Sequence, residues 1–374
     1  MNHERLDWLE LAAQEKAILG LFSTVIVLLL LHDFWAIDFL GHPLFLLPMF
    51  VWLFLMILWG AFAVVRHAGA LAIAFKEPLG SVILTLSVIA IETMMITSIM
   101  LTGNDTPTLA RDTMFAIIMI VMNGLVGLTL LLGAWRYNEQ MVNLRGARAF
   151  LSVIVLIAVI GLIIPNYTRS TPGPTLSPSL TILLITISLC VYGVFLGIQT
   201  IRHRKYFLEV TTMKMEVMRQ HHQMDYPVRW HLILLIVSLT LVIFLAKMIA
   251  VPIDYGLSKL HAPHSLGGVL VAALILAPEA MAAIRASLFN KLQHCMNILL
   301  GSVLATISLT IPVLLIISLL VGKTLVLGIN PTSTVLLFLT LMMSMITFSG
   351  RRTNMLQGVI HLLIFVVYVA LIFD

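Results

Sequence analysis

Charge is scarce in this chain: Asp, Glu, Lys and Arg make up 10% of its 374 residues, against 60% hydrophobic residues and a mean hydropathy of +1.06. That balance excludes a water-soluble globule, which needs far more polar surface than this chain can supply. Cysteine is nearly absent. Cys190 and Cys295 sit in apolar runs, which excludes a disulfide framework and any Cys-based metal cluster. Neither HExxH nor GxSxG occurs, and no nucleophile–base pair or histidine set lies at membrane depth, which argues against a membrane enzyme. The N-terminal stretch MNHERLDWLELAAQEKAILG carries four acids and lacks the basic head of a signal or transit peptide, so the first apolar run is expected to stay in the protein.

What is present is apolar sequence at spanning length. Windows of about 20 residues predict helices near 17–36, 43–65, 79–101, 112–134, 148–165, 179–201, 230–250, 266–288, 296–320, 331–349 and 354–373. The fold class expected is therefore an all-α polytopic membrane protein. Breaks fall at GNDTP (103–107), PNYTRSTPGPTLSP (165–178), HAPH (261–264) and GINP (328–331). The one sizeable hydrophilic connector, 203–229, divides an N-terminal segment and first helix (1–41) and a first five-helix repeat (42–202) from a second five-helix repeat (230–374).

Basic residues set the orientation. With the N-terminus in the cytoplasm, all but five of the 22 Lys and Arg residues fall on the cytoplasmic side, the exceptions being Arg111, Arg169, Lys247, Lys259 and Lys323. The pI of about 9.3 reflects these orienting residues, and nucleic acid is not an expected partner. An odd first helix followed by two sets of five puts the sets in opposite senses, with the C-terminus outside. Inverted repeats of this kind place a site at the bilayer midplane and open it alternately to each side.

Two acids lie where hydrocarbon is expected: Glu92 in LGSVILTLSVIAIETMMITSIML and Glu279 in LGGVLVAALILAPEAMAAIRASL. An ionisable group at that depth costs about 2.5 to 3.5 kcal/mol on insertion scales and usually marks an ion or proton pathway. The two positions are 187 apart, half of 374, and each lies 13 residues into its helix. Pro278 removes a backbone donor and leaves the Leu274 carbonyl as a candidate cation ligand, while Asn123, Ser302, Thr306 and Ser308 are candidate oxygen donors on neighbouring helices. The bland reading of these four is helix-to-helix hydrogen bonding. His361 reads as a packing partner ahead of a proton relay, and Asp112 as a cap on the fourth helix at the outer mouth. The connector histidines His203, His221 and His222 lack ligand spacing and read as a solvated face; the scattered methionines read as core filler.

Three stretches carry a resemblance: EPLGSVILTLSVIAIETMMITSIMLTGNDTPTLARDTMFAIIMIV, LAPEAMAAIRASLFNKLQHCMNILLGSVLATISLTIPV and GRRTNMLQGVIHLLIFVVY. From about residue 60 onward the chain resembles the calcium/cation antiporter superfamily, in its cation/proton exchanger branch, and is most similar to bacterial ChaA-type calcium/proton antiporters. The resemblance implies one extra helix plus two inverted five-helix repeats, and an acid in each repeat, here Glu92 and Glu279, as the cation and proton site. It also implies a bacterial inner membrane. The pattern departs from the wider family where Val88 and Ile89, and Ile275 and Leu276, stand in place of a Gly-Asn pair. No clear counterpart of the second-repeat glutamine exists near Ala305 and Thr306, and Gln357 stands where glutamate is common.

The expected activity is Ca2+/H+ exchange exporting the cation, with no bound cofactor and with the bilayer, inorganic cations and protons as partners. Na+/H+ or K+/H+ exchange uses the same two acids with a smaller charge load, and a passive cation channel predicts flux without proton coupling.

Overall fold

The computed structural model describes residues 15–30, 43–75, 79–102, 107–207, 227–259, 263–322 and 324–373. Parts of GNDTP and HAPH, most of the connector with His221 and His222, and Lys323 lie outside the described residues. The described chain forms eleven helices: α1 (Lys16–Leu30), α2 (Pro43–Phe75), α3 (Leu79–Thr102), α4 (Leu109–Tyr137), α5 (Leu144–Asn166), α6 (Pro178–Arg202), α7 (Val228–Lys259), α8 (His264–Leu288), α9 (Leu292–Val321), α10 (Pro331–Thr347) and α11 (Met355–Ile372). Eight are long and apolar enough to cross a membrane, and apolar stretches of α1, α3 and α10 are shorter. Large apolar side chains such as Leu30, Ile182, Val194, Leu320, Phe338 and Val366 point outward, as helices surrounded by lipid require.

Helix ends follow local chemistry. Ser177, Asn330 and Asn354 cap α6, α10 and α11 with side-chain oxygens, and proline follows as the first residue of α6 and α10, where its missing N–H has no partner to lose. Gly322 ends α9 at a φ of +74°, a conformation that needs no Cβ. Both α2 and α7 run well past the expected 43–65 and 230–250. Their longer course continues through Arg66 and His67 in α2 and Pro252 in α7, because side chains from neighbouring elements satisfy these polar groups (see below) and proline only interrupts one backbone bond.

The loops sort to two ends. At one end, Gln140–Met141 pairs antiparallel with Arg352–Thr353 (strands β1 and β2), Gln140 donates to the Ser287 carbonyl, and Asn297 donates to the Phe207 carbonyl, so the segments 138–143, 203–207, 289–291 and 348–354 lie together. At the other, Val326 bonds Pro107, Leu327 and Gly328 bond Pro174, and Asn166 donates to the Ile329 carbonyl. Connections alternate between ends, as back-and-forth traverses demand.

Packing forms two hydrophobic bodies. The smaller is built on α1, α2 and α7, with Leu21, Leu53, Ile57, Val64, Val242, Leu245 and Ile249 inside it. The larger spans α4, α5, α6, α9, α10 and α11 around Phe150, Ile154, Leu299 and Leu337. Helices α3 and α8 contribute to both: Ile91, Met95, Leu274 and Ile275 face the smaller body, and Ile96, Ala272, Leu276 and Ala283 face the larger. They form the seam.

Within the larger body α4 and α11 approach backbone to backbone. A Cβ on Gly358 would lie 2.6 Å from the Leu131 nitrogen and 2.9 Å from the Gly127 carbonyl, distances no side chain tolerates. Gly358→Val is expected to destabilise the fold by about 1 to 3 kcal/mol, seen as a lower thermal unfolding midpoint in detergent, whereas Gly193→Ala, at a site with open space, leaves it unchanged.

Candidate functional site

Glu92 is in α3 and Glu279 in α8, both turned into the seam. Glu92 is 1% exposed; Glu279 is partly exposed. Each carboxylate receives one hydroxyl: Thr306 Oγ1 donates to Glu92 Oε2 at 2.9 Å, and Ser302 Oγ donates to Glu279 Oε2 at 2.7 Å. Both hydroxyls come from α9. Thr306 opens a π-helical turn (Thr306–Thr310), and a matching π-helical turn (Ile120–Leu125) interrupts α4. Such turns are uncommon and recur at functional sites, because the extra residue frees backbone and re-aims side chains.

The electrostatics are severe. Among the described residues no Lys, Arg or His pairs with either acid, and Glu92 Oε1 has no hydrogen-bond partner. The two carboxylates are close enough for the charge of Glu279 to act on Glu92. Buried hydroxyls on α3 and α9 at Thr93, Thr97 and Ser308 have no partner among the described residues either, and the Thr310 hydroxyl is turned towards Glu92. The seam therefore holds two acids and a surplus of unpaired oxygen acceptors, a donor set suited to a hard cation or to protons.

Burial along the two helices is lopsided. Moving along α8 from Glu279 towards the 107/174/326 end, Leu276, Ile275 and Ala272 are buried, whereas Met281 and Ala282 on the other side are exposed. Along α3, Met95 and Ile96 beyond Glu92 are buried, while Val88 and Thr85 before it are partly exposed. Burial of the neighbouring residues is thus denser on the 107/174/326 side of the two acids than on the side that carries β1 and β2, while Glu92 itself is buried.

The remaining candidates separate. Ser302 and Thr306 meet the acids, and Ser308 lies buried in the same π-helical turn. Helix α8 passes unbroken through Pro278, which offers no N–H to the Leu274 carbonyl; the Leu274 side chain packs into the smaller body. Asn123 belongs to a different network: its amide donates to Thr340 Oγ1 at 2.8 Å, its oxygen meets His361 Nδ1 at 3.2 Å, and His361 Nε2 meets Thr347 Oγ1 at 3.0 Å. That chain ties α4 to α10 and α11 and leaves Asn123 no contact with either acid among the described residues. Asp112 does not cap α4. The cap position is Thr108, without a side-chain bond, and Asp112 instead pairs with Arg111 at 2.8 Å; both line a vestibule of about 420 Å³ together with Tyr368 and Ser333. His203 stacks on Tyr206.

One cluster has no signal in the sequence. Glu15, His67 and His231 are buried together, 52 and 164 positions apart in successive steps, and only three-dimensional packing brings them into contact.

Residues 45–201 and 230–373 match the sodium/calcium exchanger protein family. The sodium-potassium/proton antiporter ChaA of Escherichia coli (strain K12) is 41% identical over 319 residues, covering 85% of this chain and 86% of that protein. Among solved structures, the H+/Ca2+ exchanger CAX superposes with a TM-score of 0.71 at 12% identity over 97% of this chain and 89% of that one, and the Ca2+/H+ antiporter protein YfkE with 0.70 at 19% identity over 96% and 98%. A fold of eleven helices with paired acidic helices at a seam, and a match across both halves, place this chain in the sodium/calcium exchanger protein family of the calcium/cation antiporter superfamily, in its cation/proton exchanger branch, as a secondary transporter and not an enzyme.

Proposed function

We propose that the protein is a cation/proton antiporter of the bacterial inner membrane in which Glu92 and Glu279 bind either the cation or protons. The observation that supports it most is the pair of carboxylates in the seam, Glu92 buried and Glu279 partly exposed, with hydroxyl donors from α9, no cationic partner among the described residues, and an unsatisfied Glu92 oxygen. Two such charges in a low-dielectric seam are costly when empty, and a cation or protons relieve that cost equally well. An empty, doubly ionised carrier therefore resists switching. Exchange follows, because only loaded forms cross.

The two hydrophobic bodies supply the moving parts: α1, α2 and α7 rocking against the rest would expose α3 and α8 first to one side, then to the other. The lopsided burial fits a state open towards the β1–β2 end. That end carries Arg136, Arg145, Arg148, Arg202, Arg204, Lys205, Arg285, Arg351 and Arg352, which supports its assignment to the cytoplasm, with the N-terminus inside and the C-terminus outside.

The cargo reading is a monovalent cation. The shell consists of carboxylates and hydroxyls, with Val88, Ile89, Ile275 and Leu276 where amide ligands would otherwise add oxygens, and the relative at 41% identity is named a sodium-potassium/proton antiporter. Calcium is the second reading, favoured by the two carboxylates, which together match a divalent charge.

In proteoliposomes with an imposed pH gradient, sodium, potassium, calcium, manganese and magnesium are to be compared by cation-dependent proton movement. Exchange is expected with at least one of them, and flux independent of protons would identify a channel instead. Glu92→Gln and Glu279→Gln are each expected to lower the exchange rate by about 100-fold, the effect of losing about 3 kcal/mol of charge-assisted binding; retained exchange in both rejects the reading. Thr306→Val removes the 2.9 Å donor to Glu92 and is expected to raise the half-saturating cation concentration about tenfold.

A further inference from the structure

The Glu15–His67–His231 cluster lies outside the seam, at the end where α1 and α7 begin. Glu15 immediately precedes α1, His67 lies in α2 and His231 lies in the first turn of α7; all three are buried, at 3%, 1% and 6% exposure. Burying three ionisable side chains on three helices is expensive unless each is bonded, and they are bonded to one another. Glu15 Oε2 pairs with the Arg66 guanidinium and lies 3.3 Å from His67 Nε2, and His67 Nδ1 lies 3.1 Å from His231 Nδ1. Arg66 also approaches His67 Nε2 at 3.5 Å.

Proton placement follows from these contacts. With both rings neutral, one imidazole Nδ1 donates to the other, and His67 Nε2 either donates to Glu15 or accepts from Arg66. In either arrangement one hydrogen lies between the two rings. One further proton is accommodated if His231 shifts tautomer, so that His67 as imidazolium donates both to His231 and to Glu15. A second is not, because two N–H groups would then face each other across 3.1 Å. Burial pushes the Glu15 carboxyl up, but its bond to His67 and the charge of Arg66 outweigh that and hold it below the usual carboxylate range, so the anchor stays charged.

On the elements packed here, Lys16 and Arg229 are exposed, α3 contributes Glu92, and α8 contributes Glu279 and Arg285, none of which bonds His67 among the described residues. No group of three His, Cys, Asp or Glu among the described residues has metal-holding geometry, which sets a metal site aside.

We propose that Glu15, His67 and His231 form a proton-sensing clasp, separate from the transport acids, that fastens α1, α2 and α7 at one end while the imidazole pair shares its proton and lets go when both rings are protonated. The clasp's effect on transport rests on the antiporter reading; its opening does not. Helices α2 and α7 are the two longest in the chain and the spine of the smaller body, so release at this end loosens the unit that must move rigidly, and acidification of this face slows exchange.

The test has two arms on the full chain in lipid nanodiscs and proteoliposomes. The protection factor of residues 228–234, obtained from hydrogen–deuterium exchange by mass spectrometry after division by the intrinsic rate at each pH, is expected to fall about tenfold between about pH 7.5 and about pH 5.5. The change persists in Glu92→Gln and Glu279→Gln, whose transport is lost, and shrinks below about twofold in His231→Gln and in His67→Gln, where no facing pair can charge. In proteoliposomes, lowering pH at the clasp side alone is expected to slow exchange in the unaltered protein and to slow it much less in His231→Gln, with the half-saturating cation concentration unchanged. Equal pH responses of residues 228–234 with and without His231 and His67 overturn the clasp. Absence of exchange in the unaltered protein, with the pH-dependent opening intact, overturns the transport reading alone. A thermal unfolding midpoint within about 3 °C of the unaltered protein qualifies each variant as folded.

Discussion

Two carboxylates held in a place that does not solvate them organise this molecule. Glu92 and Glu279 sit on α3 and α8, which pack into both hydrophobic bodies, and each accepts a hydroxyl from α9. A bilayer protein has no water at hand to satisfy a buried anion, so such groups demand either a permanent partner or an exchangeable one. Nothing permanent is provided among the described residues. What surrounds the pair is arranged around that deficit: unpaired hydroxyls on α3 and α9, a π-helical turn that aims Thr306 across the seam, and apolar faces that close one side.

The two halves match in outline and differ in detail. Both acid-bearing helices are followed by a helix interrupted by a π-helical turn, at Ile120–Leu125 in one half and Thr306–Thr310 in the other. Yet both carboxylates draw their donors from α9. The turn in α4 is turned to another use: Asn123 is spent on His361 and Thr340, binding α4 to α10 and α11. In hydrocarbon an amide with several satisfied bonds is good glue, and a glue residue is a poor ligand because its acceptor is already taken. The resulting site is one-sided, fully buried at Glu92 and more open at Glu279.

Much of this was legible in the chain and some of it was not, for identifiable reasons. Apolar runs of spanning length gave the eleven helices, and two acids in such runs stood out because charge is so rare there. Ser302 and Thr306 could be nominated because their helix follows Glu279 closely, but only packing shows Thr306 reaching back 214 positions to Glu92. His361 does serve as the packing partner its sequence suggested, whereas Asn123 looked like a site residue by depth, and depth does not specify which way a side chain faces. Asp112 looked like a cap because it begins a helix; its neighbour Arg111 took its carboxylate instead. Glu15, His67 and His231 had no shared motif to announce them, since a buried cluster drawn from three separate helices has no spacing rule.

By itself the sequence determined that the chain crosses a membrane many times, how many helices it uses, and which two residues carry charge to the middle, because hydropathy and rarity of charge are properties of local stretches. The tertiary structure alone decided which oxygens those acids meet, which side of them is closed, and that a glutamate and two histidines share one buried knot. These are questions of facing and distance between segments far apart in the chain, and they are settled only when helices pack.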